Sequence, residues 1–185
     1  MAAALVLGLG FFTYLMTRIG KQAPAWVAAP EIVLALSLYR GLACYGEIPH
    51  GAFFLCLTGL ICALTDIFAY LVGSRFGRRK LAPKVSPGKS IEGALGGLGI
   101  TVVLIVLVFG RFFDDIGTLV LYTAVVSILG QFGDLSMSAV KRVAGVKDFG
   151  HIFPGHGGIL DRCDSLMYPL AFTWLLYCAQ IWIFV

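Results

Sequence analysis

The chain has 185 residues, of which 59% are hydrophobic and 13% charged, with a net charge of +4 and a mean hydropathy of +0.91. A soluble domain carries about 25% charged residues, so a soluble globular protein is excluded. The class expected is all-α: a polytopic integral membrane protein of one domain, with no nucleic-acid partner and the lipid bilayer as its solvent.

Five long apolar stretches cover roughly 2–17, 51–73, 93–110, 116–133 and 165–185. Each is close to the ~20 residues that cross ~30 Å of hydrocarbon. A shorter sixth, roughly 25–40, is interrupted by Pro30 and Glu31. Backbone groups in lipid must pair within their own segment, so the stretches are read as helices. Strand-like alternation is absent from the sequence, which argues against a barrel. The first stretch lacks the basic leader of a signal peptide, because Arg18 follows its apolar run. Residues 1–50 are set apart as membrane helices without an assigned role, and 51–185 as the membrane region that carries the charged loops.

Ten of the 14 basic residues lie in two loops. Arg75, Arg78, Arg79, Lys80, Lys84 and Lys89 fill 75–89; Lys141, Arg142, Lys147 and Arg162 lie in 141–162. Two helices separate these loops, so both face the same side, which the positive-inside rule makes the cytoplasm. With six spans Arg18 and Lys21 join them, leaving Arg40 and Arg111 outside. Six spans are therefore expected, with catalytic loops inside and Arg111, Asp114 and Asp115 on the outer connection. The five cysteines (Cys44, Cys56, Cys62, Cys163, Cys178) show no CxxC spacing and read as small packing residues.

Along the chain, the first ionisable residue deep in an apolar stretch is Asp66. A carboxylate there is costly and must face protein, water or a cation; a hydrogen bond to Tyr70, one turn on, is the structural alternative. Gly73 and Gly77, four residues apart, would let another backbone approach. Ser86-Pro87-Gly88-Lys89-Ser90 then supplies hydroxyls, amides and an ammonium just ahead of a helix N-terminus, a place suited to phosphate. It lacks the Walker A spacing. At the end of the 116–133 helix, Asp134, Ser138 and Lys141 share one helical face; a solvated helix end is the plainer reading. Pro154-Gly155-His156-Gly157-Gly158 forms a sharp turn that delivers Asp161. His156 has no zinc-ligand partner at the usual spacing. Asp161 and Asp164 share a face at the start of the last helix. Two carboxylates ~4 Å apart repel by roughly 4 kcal/mol at an effective dielectric of ~20, and a divalent cation relieves this. A capping pair is the alternative, and it explains one aspartate better than two. Oxygen ligands from Asp134, Asp161 and Asp164 suit Mg2+.

The segment from Ser138 to Asp164, SAVKRVAGVKDFGHIFPGHGGILDRCD, resembles the signature of the phosphatidate cytidylyltransferases, the CDP-diacylglycerol synthases. Its Ser-x-x-Lys-Arg, Lys-Asp, Pro-x-His-Gly-Gly and Asp-Arg-x-Asp elements stand in order. A second block, TDIFAYLVGSRFGRRKLAPKVSPGKSIEG from Thr65 to Gly93, is similar to the same family. The resemblance covers roughly 54–185.

It implies transfer of the cytidylyl group of CTP to phosphatidate, giving CDP-diacylglycerol and pyrophosphate for phospholipid synthesis. The enzyme would be an integral protein of the inner membrane, with its active site facing the cytoplasm. It implies Mg2+, with a second, monovalent cation as an open question, and a homodimer. Asp134, Asp161 and Asp164 would hold the metal, and Lys141 and Arg142 would complete the catalytic set. Asp66, Ser86, Lys89, Ser90, Ser138, Lys147, His156, Gly157, Gly158 and Arg162 would line the substrate and phosphate site. Met137 departs from a usual Glu, Cys163 from an apolar residue and Gly88 from Lys or Asn. The chain is also short for the family, which commonly has further N-terminal helices.

Two related enzymes, a CDP-archaeol synthase and a CTP-using polyprenol kinase, share this chemistry. The His-Gly-Gly turn and Asp-Arg-x-Asp run favour the phosphatidate enzyme. A cation channel through Asp66 and Asp134 is a reading from another class. Against it, the charges gather at one membrane face and form no relay. A structural membrane protein gives no reason for two charged blocks.

Overall fold

The computed structural model describes residues 43, 46, 50–143 and 164–178. Helix α1 runs Gly51–Phe76 and a hairpin follows, β1 at Lys80–Ala82 and β2 at Ser86–Ser90. Helix α2 spans Ile91–Phe109 and closes in a 3-10 turn at Gly110–Phe112; α3 spans Ile116–Val143 and α4 Met167–Cys178. Three of these helices are long and apolar enough to cross a membrane: Gly51–Phe76, Ile91–Phe112 and Ile116–Arg142. At ~1.5 Å per residue, the 28 residues of α3 reach beyond the ~30 Å hydrocarbon layer. Its last two turns, carrying Ser138 and Lys141, therefore extend as helix into the polar region, and Asp134, about 27 Å from the start of the helix, stands at the edge of the hydrocarbon layer. The stretches at 2–17 and 25–40 lie outside the described residues, as does the part of 165–185 beyond 178.

The all-α expectation needs one correction. Residues 80–90 form a two-stranded antiparallel hairpin pairing Lys80 with Ser90 and Ala82 with Ser86, with an irregularity between. Its strands are too short to show alternation, and Pro87 is tolerated because an isolated hairpin has only edges. Backbone pairing outside lipid is what lets this segment be strand at all.

Helices α1 and α2 make the most extensive contact in the bundle, whereas α2 and α3 touch more sparsely. Glycine is the cause. A Cβ on Gly93 would stand 2.6 Å from the Ala69 carbonyl oxygen and 2.9 Å from Gly73 Cα. One on Gly97 would stand 2.7 Å from the Thr65 carbonyl oxygen. Two backbones thus run against each other, as small residues permit within lipid. The apolar core gathers Phe54, Leu57, Ile61, Ile105, Leu119, Tyr122 and Val126 between α1, α2 and α3.

Two buried hydroxyl pairs join these helices. Thr58 Oγ1 and the Tyr122 hydroxyl lie 2.6 Å apart, and Thr65 Oγ1 lies 3.0 Å from Ser127 Oγ. Lipid offers no competing partner, so such pairs fix helix rotation. Cys62 is buried and donates its thiol to the Ser165 carbonyl at 3.6 Å, consistent with a packing role. At the opposite end of the bundle, Asp115 accepts the backbone N–H groups of Gly117 and Thr118 at 2.9 and 3.0 Å. These bonds and the Thr118 hydroxyl, the strongest contributor, hold its carboxyl below the usual aspartate range and cap α3.

Candidate active site

The site is built where four pieces of chain meet at the polar end of the bundle. Helix α1 brings Asp66, one turn ahead of Tyr70. The glycine seam then holds α2 so close that Ser90, at its start, lies under Gly73 and Gly77: a Cβ on Gly73 would reach Ser90 Oγ at 2.9 Å, and one on Gly77 at 2.6 Å. Ser90 caps α2, its hydroxyl accepting the Gly93 N–H at 3.1 Å. Glu92 ties the preceding loop down, its carboxylate accepting the backbone N–H groups of Arg78 and Arg79, each at 3.1 Å. With β2 fixed at both ends, Lys89 points towards α3 and forms an ion pair with Asp134.

On α3, Ser138 Oγ donates to Asp134 Oδ1 at 3.4 Å, the contact expected from their four-residue spacing. Lys141, further along the helix, reaches Asp164 with Nζ to Oδ2 at 3.9 Å; both side chains are nearly enclosed, at 12% and 13% exposed. Asp164 can stand there because residue 133 is glycine. A Cβ on Gly133 would collide with the Asp164 carbonyl oxygen and stand 3.3 Å from Tyr168 Cδ2. The Ser165 N–H donates to Asp164 Oδ1 at 2.8 Å, fixing the turn ahead of α4.

Between these elements lies a cavity of about 490 Å³, whose lining does not include Ser138 or Lys141. Asp66, Asp134 and Asp164 supply its carboxylates; Lys89, Ser90, Tyr70, Ser74 and Gln131 complete its polar lining. Burial, and then the neighbouring charge of Asp134, push the Asp164 carboxyl up to about 6, against the pull of Ser165 and Lys141. A buried carboxyl raised in part by a neighbouring acid is a functional-site signature. No hydrogen bond joins Asp66 to Tyr70, whose side chain is 74% exposed.

Other expected residues fall elsewhere. Arg142 lies outside the cavity lining; its Nε donates to the Val85 carbonyl at 3.3 Å and so props the hairpin turn against α3. Ser86 starts β2 and is also absent from the lining. Asp161, Lys147, His156, Gly157, Gly158 and Arg162 lie outside the described residues, as does Cys163. Among the described residues, no three His, Cys, Asp or Glu side chains stand close enough to share one ion. Gln131 was not singled out in the sequence, yet its Nε2 donates to the Ala94 carbonyl at 3.3 Å and links α3 to α2 at the cavity wall. Its one signal was a lone amide inside an apolar helix. Glu92 could have been noticed as an acid in the first turn of α2.

The sequence has counterparts among known proteins. The sequence model of the Cytidylyltransferase family matches residues 1–179, including the first fifty, which the motifs left unassigned.

The chain belongs to the cytidylyltransferase family.

Among its relatives, the phosphatidate cytidylyltransferase of Staphylococcus haemolyticus is 46% identical over 128 residues, 68% of this chain and 49% of that protein. That of Staphylococcus saprophyticus is 36% identical over 170 residues, 89% of this chain and 65% of the relative. An uncharacterized Escherichia coli protein, YnbB, is 43% identical over 136 residues, 71% of this chain and 45% of its own length. The chain thus spans about half the length of the curated relatives it matches.

Proposed function

We propose that this chain transfers the cytidylyl group of CTP to phosphatidate at the cytoplasmic face of the cell membrane, giving CDP-diacylglycerol and pyrophosphate. The observation that carries the reading is one cavity in which Asp66, Asp134 and Asp164 meet Lys89, at the end of membrane-length helices. Cations and carboxylates so interleaved handle polyphosphate. The names of the relatives supply the nucleotide and the lipid.

The phosphate of phosphatidate is anionic at neutral pH and attacks the α-phosphorus of CTP without a strong base. A new oxygen–phosphorus bond forms, the bond between the α-phosphorus and its bridging oxygen breaks, and pyrophosphate leaves with the electron pair. The chain's task is positioning and charge balance. Lys89 and Lys141 contribute ammonium groups, and the capped start of α2 contributes its positive dipole end. Arg142 acts through the hairpin, keeping Lys89 over Asp134. The donor set fits a hard cation, since among the described residues the ligating groups that line the cavity are oxygens, and burial together with the charge of Asp134 raises the Asp164 carboxyl. Magnesium held by Asp134 and Asp164, with Asp161 as the third expected ligand, would neutralise phosphate charge and polarise the attacked phosphorus.

The test is incubation of purified protein with labelled CTP, phosphatidate and Mg2+, followed by lipid extraction. Label in the organic phase that disappears with EDTA supports the reading; label confined to the aqueous phase refutes it. Release of CDP instead of pyrophosphate would make the enzyme a kinase. Thiol labelling of Lys84→Cys in inverted, but not right-side-out, vesicles supports the cytoplasmic orientation. The homodimer implied by the resemblance is read by sedimentation in detergent.

A further inference from the structure

Five basic side chains stand outside the cavity and take no part in the chemistry above. Arg75 lies in the last turn of α1, Arg78 and Arg79 in the turn after it, Lys80 at the start of β1 and Lys84 between the two strands. All five are exposed, and none lines the carboxylate cavity. No acid lies between Asp66 and Glu92 in the sequence. Glu92 binds the backbone N–H groups of Arg78 and Arg79 rather than their guanidinium groups. Among the described residues, the ion pairs at this end of the bundle join Lys89 to Asp134 and Lys141 to Asp164, and none engages the five.

The segment that carries them is tied down. The Ile91 N–H donates to the Arg79 carbonyl at 2.9 Å, the Val85 N–H donates to the Ala82 carbonyl at 3.1 Å, and Arg142 holds the Val85 carbonyl. Its depth follows from α1, whose 26 residues reach about 39 Å, beyond the ~30 Å of hydrocarbon. Arg75 and the hairpin after it therefore stand at the level of the lipid headgroups. The same hairpin gives Leu81, Gly88 and Lys89 to the cavity wall, so the five charges flank the cavity. Orientation in the membrane asks only for an excess of positive charge on one side. It does not ask that the charge be gathered on one fixed hairpin beside the cavity. The connection at the other end balances Arg111 against Asp114 and Asp115.

We propose that the end of α1 and the β1–β2 hairpin form a docking surface for the phosphate headgroups of anionic phospholipids in the adjoining leaflet, gathering them beside the cavity. Lipid is the occupant because the surface sits at headgroup depth, in standing contact with the leaflet, and its charge is complementary. A basic group near an anionic leaflet favours association by about fivefold. The five groups share the same few headgroups, so the enrichment of any one lipid should stand near that figure and not at its fifth power. The attraction is Coulombic and acts over ~10 Å at 0.1 M salt but only ~3 Å at 1 M.

The test uses the full chain in nanodiscs. Phosphatidylglycerol or phosphatidylcholine, each with a diazirine next to one acyl ester, is photolysed at equal mole fraction, and adducts on residues 71–84 are counted. Phosphatidylglycerol is a phosphodiester and cannot serve as the acceptor, so its adducts report docking alone. Cleavage at acidic residues isolates 67–92 from every variant. At low salt the wild type should favour phosphatidylglycerol by about fivefold, and 1 M KCl should bring the ratio near one. Arg75→Gln, Arg78→Gln, Arg79→Gln, Lys80→Gln and Lys84→Gln combined should show no preference at either salt, with an unchanged melting midpoint. Lysine at 75, 78 and 79 should keep the preference. A wild-type ratio near one, or a preference that survives salt or the glutamines, overturns the proposal, as does its loss in the lysine variant. The kinetic arm rests on the lipid-phosphate reading above. In the glutamine variant KM for phosphatidate, as surface mole fraction, should rise about fivefold while kcat and KM for CTP hold. A raised KM for CTP with that for phosphatidate unchanged would make the surface a nucleotide guide and refute lipid docking. Wild type that prefers phosphatidylglycerol but transfers no cytidylyl group refutes the activity and leaves the docking surface standing.

Discussion

Replacing Gly93 by alanine should loosen the whole site through one methyl group. Helix propensity alone favours the change, because alanine is better than glycine in a helix interior by about 1 kcal/mol. The structure opposes it. The new Cβ would stand 2.6 Å from the Ala69 carbonyl oxygen, 2.9 Å from Gly73 Cα and 2.9 Å from Ser90 Oγ. Favourable carbon contacts begin near ~3.5 Å, and two of these three atoms are backbone and cannot swing aside. Overpacking of this kind typically costs ~1–3 kcal/mol, so the net loss should be up to about 2 kcal/mol once the propensity gain is subtracted. For a chain of this length that lowers the melting midpoint by up to about 8 °C. Gly99, on the same helix, is the control, since nothing lies within 4 Å of its added Cβ. Gly99→Ala should hold or slightly raise the midpoint. Both variants are compared by fluorescence-monitored melting in one detergent. If Gly93→Ala melts at or above Gly99→Ala, the claim that α1 and α2 meet backbone to backbone is wrong.

Three further outcomes are expected. Asp134→Asn and Asp164→Asn should each cut CTP-dependent lipid labelling by ~100-fold or more while leaving membrane insertion in place; wild-type turnover in either would remove the metal assignment. Asp164 stands at about 6 in the fold against an ordinary 3.8. A raised aspartate favours its protonated form, so its cost is absent below the unfolded value, grows between the unfolded and folded values and is complete above the folded one. Stability in EDTA should therefore fall between about pH 4 and about pH 6 through this group, and Mg2+ should reverse the fall by displacing the proton; an Asp164→Asn melting curve with the same pH slope as wild type would contradict this. Ser90→Ala removes the α2 cap and should cost about 1 kcal/mol, read as a lower midpoint together with weaker CTP binding by calorimetry, because Lys89 is the next residue.

Much of the bundle was legible because lipid leaves the backbone few choices. An apolar run of the right length in a membrane must be a helix, and α1, α2 and α3 fall where hydropathy placed them. The helical stacking of Asp134, Ser138 and Lys141 was equally local, since a continuous α3 carries all three. The hairpin was not legible. Its strands of three and five residues are shorter than any period that alternation can show. Arg142 shows a second limit. Beside Lys141 in sequence it reads as a phosphate ligand, and nothing local announces that its Nε also holds the Val85 carbonyl on a strand turn far away in the chain.

By itself, the sequence determined that the chain lives in a bilayer, that its charge gathers at one face, and which acidic and basic residues were candidates for phosphate chemistry. These depend on composition and on spacing within single helices. Which carboxylate meets which lysine was decided only by tertiary structure. Lys89 reaches Asp134, and Lys141 reaches Asp164, because glycines at 73, 93 and 133 remove the side chains that would hold the backbones apart. The distance between helices is set by the pair of surfaces in contact, and no single stretch of sequence contains both.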